Sequence, residues 1–263
     1  MNIKTDSRKI KPGDTFVALR CEEHDGHAYV QKAIENGASK VVVEHGSYSV
    51  ETVVVPDTRE YINEYLDEHY AETLENMKII GITGTNGKTT TAYLAYQLFR
   101  KLQVPSAYIG TIGFYLEKKE QSLPNTSVDV CDLYELLLTA YEHGCKVVLL
   151  EVSSQALSGN RFGKLKFDMA AFTNLTQDHL NFHKTMGNYA LAKQLLFKKI
   201  KKDGLAIVNE DDKYKDYYLL SENHNITYGF KPSDYQIKEY QLSAEKTKFK
   251  VEYKGSMYPV ETN

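Results

Sequence analysis

The clearest chemistry in this sequence lies in Gly84-Thr85-Asn86-Gly87-Lys88-Thr89-Thr90-Thr91. Glycines let backbone N–H groups crowd around an anion, a lysine follows them, and hydroxyls come next. That is the set a nucleoside triphosphate and Mg²⁺ require. Gly84, Thr85, Asn86 and Gly87 would cradle phosphates, Lys88 would reach the terminal ones, and Thr89 would offer its hydroxyl to the metal, with Thr90 beside it. The strict spacing G-x-x-x-x-G-K-[ST] needs glycine at position 82, where Ile82 stands. The written pattern fails, but the physical arrangement survives.

Other candidates are weaker alone. Glu151 ends the apolar run KVVLLEV and Asn174 ends FDMAAFTN, so both would reach the carboxyl edge of parallel strands, where ligands bind. His179 and His183, four residues apart, suit one helix face as zinc ligands, yet no third ligand has comparable spacing and no structural zinc site is expected. Lys193, in NYALAKQLLFKKIKK, reads from its pattern as the polar face of a helix. Ser7, Glu22, Glu23 and His24 carry no individual signal.

These residues need elements to hold them. TFVAL (15–19), KVVVEH (40–45) and TVVVP (52–56) are β-branched runs of strand length. HAYVQKAIENG (27–37) has helical spacing and a glycine stop, and a polar helix is expected over 58–76. From residue 77 onward, strands at 78–83, 106–110, 146–152, 167–174 and 205–211 alternate with helices at 88–103, 129–143 and 187–200. Such alternation predicts an α/β fold with a mostly parallel sheet flanked by helices. The loop Gly84–Thr91 then follows the strand 78–83 and opens a helix. The stretch from Ile226 onward alternates, as in FKVEY, and turns at Lys254-Gly255, which predicts a small antiparallel sheet near the C-terminus. The expected division is an N-terminal α/β domain over 1–76 and a phosphate-loop domain over 77–263.

Composition narrows the classes. Among 263 residues, 32 basic side chains face 35 acidic ones, giving a formal charge of −3 that offers no field to nucleic acid. No apolar run approaches the roughly 20 residues that span a bilayer, and the first residues contain no apolar signal core. Cys21, Cys131 and Cys145 are odd in number and far apart, reading as free thiols of a reducing compartment. The expectation is a cytoplasmic monomer without nucleic-acid or membrane partners.

Together the segments DSRKIKPGDTFVAL, ITGTNGKTTTA, NTS (125–127), EVSSQALSGNR (151–161) and FTNLTQDHLNFHKTMGNYALAK (172–193) resemble the Mur ligases. The resemblance is to the branch that adds a diamino acid. It implies a peptidoglycan-precursor ligase that phosphorylates a carboxylate of UDP-MurNAc-L-Ala-D-Glu with ATP, after which the amine of meso-diaminopimelate or L-lysine displaces phosphate. It implies that Lys88, Glu151, His179 and Lys193 are catalytic and that Asn174 lies near the nucleotide. Thr89, Glu151, His179 and a CO₂-derived carbamate on Lys193 would surround Mg²⁺. Ser7 and Glu22–His24 would meet the UDP end of the substrate, and Asn125, Thr126, Ser127, Ser153 and Arg161 its muramoyl-peptide end. The carbamate has a physical rationale: an ammonium about 5 Å from Mg²⁺ at an effective dielectric of about 20 is repelled by ~7 kcal/mol. That favours a neutral amine able to react with CO₂.

Val128, Gln155 and Asn181 stand where family members commonly have proline, histidine and aspartate. The family also has a third domain that recognises the incoming amine, and its absence here implies a fragment that does not complete amide formation. The rival readings are a folylpolyglutamate-type or other Mur ligase, and a non-catalytic nucleotide- or UDP-sugar-binding module.

Overall fold

A computed structural model describes residues 1–20, 25–243 and 245–262. The chain divides into two compact units.

The first unit comprises residues 1–76 together with 128–142 and 159–165. Strands β1 (Ile3–Lys4), β2 (Thr15–Val17), β3 (Lys40–Val43) and β4 (Glu51–Val54) form a parallel sheet in that order. Helix α1 (Val30–Glu35) covers one face, burying Val30 and Ala33 in a cluster with Ile10, Phe16, Ala18, Val41 and Val43. Its predicted first turn, 27–29, is instead part of a tighter 3₁₀ turn, Gly26–Tyr29, capped by Asp25. Helix α2 (Thr58–Leu74) starts where the Asp57 carboxylate accepts from the Glu60 amide. The later helix α4 (Val130–Glu142) packs on α2. Ion pairs Lys4–Glu135, Lys9–Asp132 and Arg59–Asp129 bind α4 into this unit. The unit is therefore discontinuous in sequence, because apolar residues of α4 find their partners far back along the chain.

The second unit comprises 77–127, 143–158 and 166 onward. Its strands are β5 (Lys78–Thr83), β6 (Ser106–Gly110), β7 (Gly113–Tyr115), β8 (Lys119–Gln121), β9 (Val147–Glu151), β10 (Phe167–Phe172), β11 (Ile200–Asn209), β12 (His224–Gly229), β13 (Tyr235–Leu242), β14 (Thr247–Tyr253) and β15 (Ser256–Thr262). They make one 11-stranded sheet in the order β15-β14-β13-β12-β11-β10-β5-β9-β6-β7-β8. Pairing is parallel from β13 through to β6 and antiparallel at both ends. Helices α3 (Lys88–Lys101), α5 (Ser154–Ser158), α6 (Leu180–His183) and α7 (Met186–Phe197) accompany it.

The antiparallel region expected near the C-terminus is present in β13–β15, where it extends the main sheet. It begins later than Ile226, because β12 pairs in parallel with β11 and the strands reverse only after β13. Alternating side chains report which faces are buried and carry no information on strand direction. Strand β5 lies centrally, between β9 and β10, and this places the loop after β5 beside the ends of both neighbours. Among the described residues no helix is long and apolar enough to cross a membrane. Cys131 and Cys145 are free and buried, and Cys21 lies outside the described residues.

Candidate active site

Strand β5 ends at Thr83 and the chain crosses Gly84–Gly87 before α3 begins at Lys88. Gly84 has φ +152°, and a Cβ there would overlap the Thr173 hydroxyl, so a side chain would force this turn away from the end of β10. Residues 173–176 lace the loop in place. Asn174 accepts from the Asn86 amide at 3.0 Å and donates back to its carbonyl at 3.0 Å. The Thr173 hydroxyl donates to the same carbonyl at 2.7 Å, and the Thr85 amide donates to the Asn174 carbonyl at 2.8 Å. Lys88 folds over the loop, donating to the carbonyls of Gly84 at 2.9 Å and Thr85 at 2.8 Å. Burial lowers its pKa, against the pull of Glu151 and Asp178. Thr90 is exposed on the first turn of α3.

Glu151, the last residue of β9, is fully buried. Its Oε2 accepts from the hydroxyls of Thr89 at 2.8 Å and Thr111 at 3.1 Å. Its Oε1 accepts from the Thr111 amide at 3.0 Å and from the Tyr108 hydroxyl. Thr89 and Glu151 thus meet across the gap between α3 and β9, as a metal pair would. Their oxygens are hard donors suited to Mg²⁺, which keeps several waters and phosphate oxygens as its remaining ligands. Among the described residues, no three His, Cys, Asp or Glu side chains cluster as a metal site.

Lys193 is 1% exposed on α7, and its Nζ donates to the Gly84 carbonyl at 2.9 Å. It sits 4.5 Å above the Tyr189 ring. Burial, then the charge of Lys88, push its pKa down to about 7, against the pull of Asp178. The helical pattern placed this lysine on a polar face; tertiary packing buries it under the phosphate loop instead. Tyr189 is itself stacked on His183, with ring centroids 4.9 Å apart, and its hydroxyl lies 3.3 Å from that of Thr85. His183 is buried with Nε2 2.9 Å from the Ser154 hydroxyl, so it joins α6 to α5. Burial lowers its pKa, helped by Lys193 and His179. His179 is half exposed, with φ +53° at the start of α6. Its ring meets Asp178, with Nε2 3.5 Å from Oδ2, and the edge of the Tyr189 ring; among the described residues no hydrogen bond joins it to Glu151 or Thr89.

Of the remaining sequence candidates, Ser127 is buried, its hydroxyl donating to the Glu151 carbonyl at 3.0 Å and accepting from the Ser153 amide at 3.0 Å. The Ser153 hydroxyl accepts from the Ala156 amide at 3.2 Å, capping α5. Thr126 has its hydroxyl 3.0 Å from that of Thr111, and Asn125 is exposed. Ser7 is buried in the first unit, to which Arg161 also belongs. Glu22, Glu23 and His24 lie outside the described residues.

Sequence reasoning missed Tyr108, Thr111, Thr173 and Tyr189. Thr111 could have been found, since it follows the apolar run SAYIG and so lies at the same edge as Glu151. Nothing local marks Tyr108.

A central parallel strand, a phosphate loop and a flanking carboxylate define a P-loop α/β architecture. Family comparison is consistent with it: residues 1–83 match the Mur ligase family catalytic domain, and residues 82–263 match the Mur ligase middle domain. The chain belongs to the Mur ligase family. It is 35% identical over 263 residues to the UDP-N-acetylmuramoyl-L-alanyl-D-glutamate–2,6-diaminopimelate ligase of Aquifex aeolicus, covering 99% of this chain and 54% of that protein. The ligase of the same name from Phocaeicola vulgatus is 40% identical over 215 residues, covering 80% of this chain and 44% of the relative. A solved structure of a ligase bearing that name superposes with a TM-score of 0.82 at 29% identity, over 99% of this chain and 55% of the other. The chain thus spans about half the length of the relatives it matches.

Proposed function

We propose that the chain is the UDP-binding and ATP-binding part of a MurE-type ligase, with 2,6-diaminopimelate as the incoming amine by analogy with its named relatives. The observation that carries this reading is the convergence of Lys88, Thr89, Glu151 and Lys193 around one phosphate loop, in a chain of this family. Lys88 supplies charge to the terminal phosphates of ATP, exchanging its two loop carbonyls for phosphate oxygens. Asn174 and Thr173 hold the loop in shape, so little reorganisation accompanies binding. Mg²⁺, held by Thr89 and Glu151, would supply charge stabilisation to the transferring phosphoryl group.

The γ-phosphoryl group passes to the substrate carboxylate, giving an acyl phosphate and ADP. The amine then attacks the acyl carbon, the amide C–N bond forms, and phosphate leaves. Lys193 is set up for carbamylation: with its pKa near 7, a neutral amine is available at neutral pH to attack CO₂ and lose a proton. The product anion turns the repulsion between Lys193 and Lys88 into attraction. His179 belongs to the metal shell only if its half-exposed ring turns away from Asp178 on binding. Ser7 and Glu22–His24 are assigned to the UDP end of the acceptor, and Asn125, Thr126, Ser127, Ser153 and Arg161 to its peptide end. The protein acts in the cytoplasm as a monomer.

Calorimetry with Mg-ATP and with UDP-MurNAc-L-Ala-D-Glu tests the reading, and both should bind. In ¹³C-bicarbonate, an NMR carbamate resonance should appear and vanish in Lys193→Ala. A folded protein that binds neither ligand would refute the proposal.

A further inference from the structure

Glu151 is held more completely than phosphate binding demands. Four donors converge on its two oxygens, and they divide unequally in kind. Oε2 faces two hydroxyls, those of Thr89 and Thr111, which can rotate and keep lone pairs for a cation. Oε1 faces a backbone amide, which cannot rotate, and the hydroxyl of Tyr108.

Tyr108 has no freedom to withdraw. It is fully buried, its ring packed edge-on against Tyr93 at 5.5 Å and Tyr115 at 5.8 Å, with Tyr96 at 6.4 Å. It points along β6 towards Glu151 across Gly110, two residues on. A Cβ at Gly110 would fall inside contact distance of both Oε1 and the Tyr108 hydroxyl, so the missing side chain makes the room in which this pair meets. The Glu151 backbone is pinned as well, by pairing of β9 with β5 and by the Ser127 hydroxyl on its carbonyl. Both ends of the side chain are therefore fixed, and one oxygen is left open to exchange.

We propose that Tyr108 is a positioning residue that clamps Oε1 and restricts Glu151 to binding a cation through Oε2 alone, selecting Mg²⁺ over Ca²⁺. Mg²⁺ takes one oxygen per carboxylate in a tight octahedron, whereas Ca²⁺ accepts both oxygens in a larger, looser shell. A carboxylate that cannot swing to present two oxygens discriminates against the larger ion. This inference rests on the nucleotide and metal reading above, and its test separates the two.

The experiment measures ADP binding by calorimetry at graded Mg²⁺ and Ca²⁺ in wild type, Tyr108→Phe and Thr111→Val, with melting temperatures to confirm folding. Tyr108→Phe keeps the ring and leaves Oε1 with the Thr111 amide alone, loosening the clamp, so the ratio of apparent Mg²⁺ to Ca²⁺ affinity should fall about tenfold, within the range that outer partners of metal ligands command. Thr111→Val removes a hydroxyl from Oε2 but leaves the clamp on Oε1. It should weaken both ions alike and keep the ratio. If Tyr108→Phe leaves the ratio unchanged while ADP still binds, the clamp is refuted and the nucleotide reading stands. If folded wild type binds no ADP with either ion, both fail. Should Tyr108→Phe melt early, Gly110→Ala places a Cβ between Oε1 and the Tyr108 hydroxyl and separates the same pair; a fall in the ratio in that variant would support the clamp, whereas a wild-type ratio would overturn it.

Discussion

Glu151 and Lys193 are both buried and both belong to the phosphate-loop site, yet their surroundings treat charge in opposite ways. Glu151 receives four hydrogen bonds, enough to replace much of the water a carboxylate loses on burial. Lys193 has one carbonyl and one aromatic face among the described residues, with the like charge of Lys88 nearby. The protein therefore surrounds its anion with hydrogen-bond donors and leaves its cation under-compensated. A lysine in that position is ready to give up its proton, which a purely structural lysine has no need to do.

The most direct way to break this contrast is to remove Lys88. Lys88→Ala deletes the charge aimed at the terminal phosphates, and Mg-ATP affinity should fall ~100-fold or more, about 3 kcal/mol, with circular dichroism unchanged. The same change removes a repulsive neighbour, so the pH midpoint of CO₂ uptake at Lys193 should move upward. A folded Lys88→Ala protein with wild-type affinity would show that the loop does not bind phosphates.

The next effect concerns stability. Because the folded-state pKa of Lys193 lies below that of the unfolded chain, the unfolded state binds more protons between about pH 7 and 10. Wild-type stability should gain from this group as pH rises through that window. Below pH 7 both states carry the proton and the penalty is complete. Lys193→Met should therefore raise stability at pH 6–7 by as much as ~4 kcal/mol, with the gain gone near pH 10. Denaturant melts of the two proteins in CO₂-free buffer across this range would check it, and a gain that does not depend on pH would point to packing instead.

The smallest effect is in the loop that supplies the Lys193 acceptor. Asn174→Ala removes two bonds to Asn86 and should weaken ATP binding by about 1–2 kcal/mol through a less ordered loop. Calorimetry should show the loss mainly as a less favourable entropy. An Asn174→Ala protein with unchanged affinity would mean that Thr173 and Thr85 order the loop without it.

What was legible in the sequence was local or strongly periodic. The phosphate loop spans eight consecutive residues, so its chemistry and its place between strand and helix can be read in one window. The β-branched runs gave most strands of the parallel sheet for the same reason. Strands β7 and β8, three residues each, are too short to show a period, and β12 hid its direction because alternation does not encode it. Glu151 was visible as a polar strand end, and the resemblance singled out Lys193 against its own helical pattern.

The sequence by itself determined the loop, the order of the longer strands and helices, and the family. Tertiary structure decided what the site can do with charge. Tyr108 and Glu151 are 43 residues apart, and Lys193 and Gly84 are 109 apart. Nothing in either local window indicates the partner, because desolvation and neighbouring charge depend on which distant segments close over a group. Packing turned one lysine among many into a half-neutral amine, and gave one buried tyrosine a carboxylate to hold.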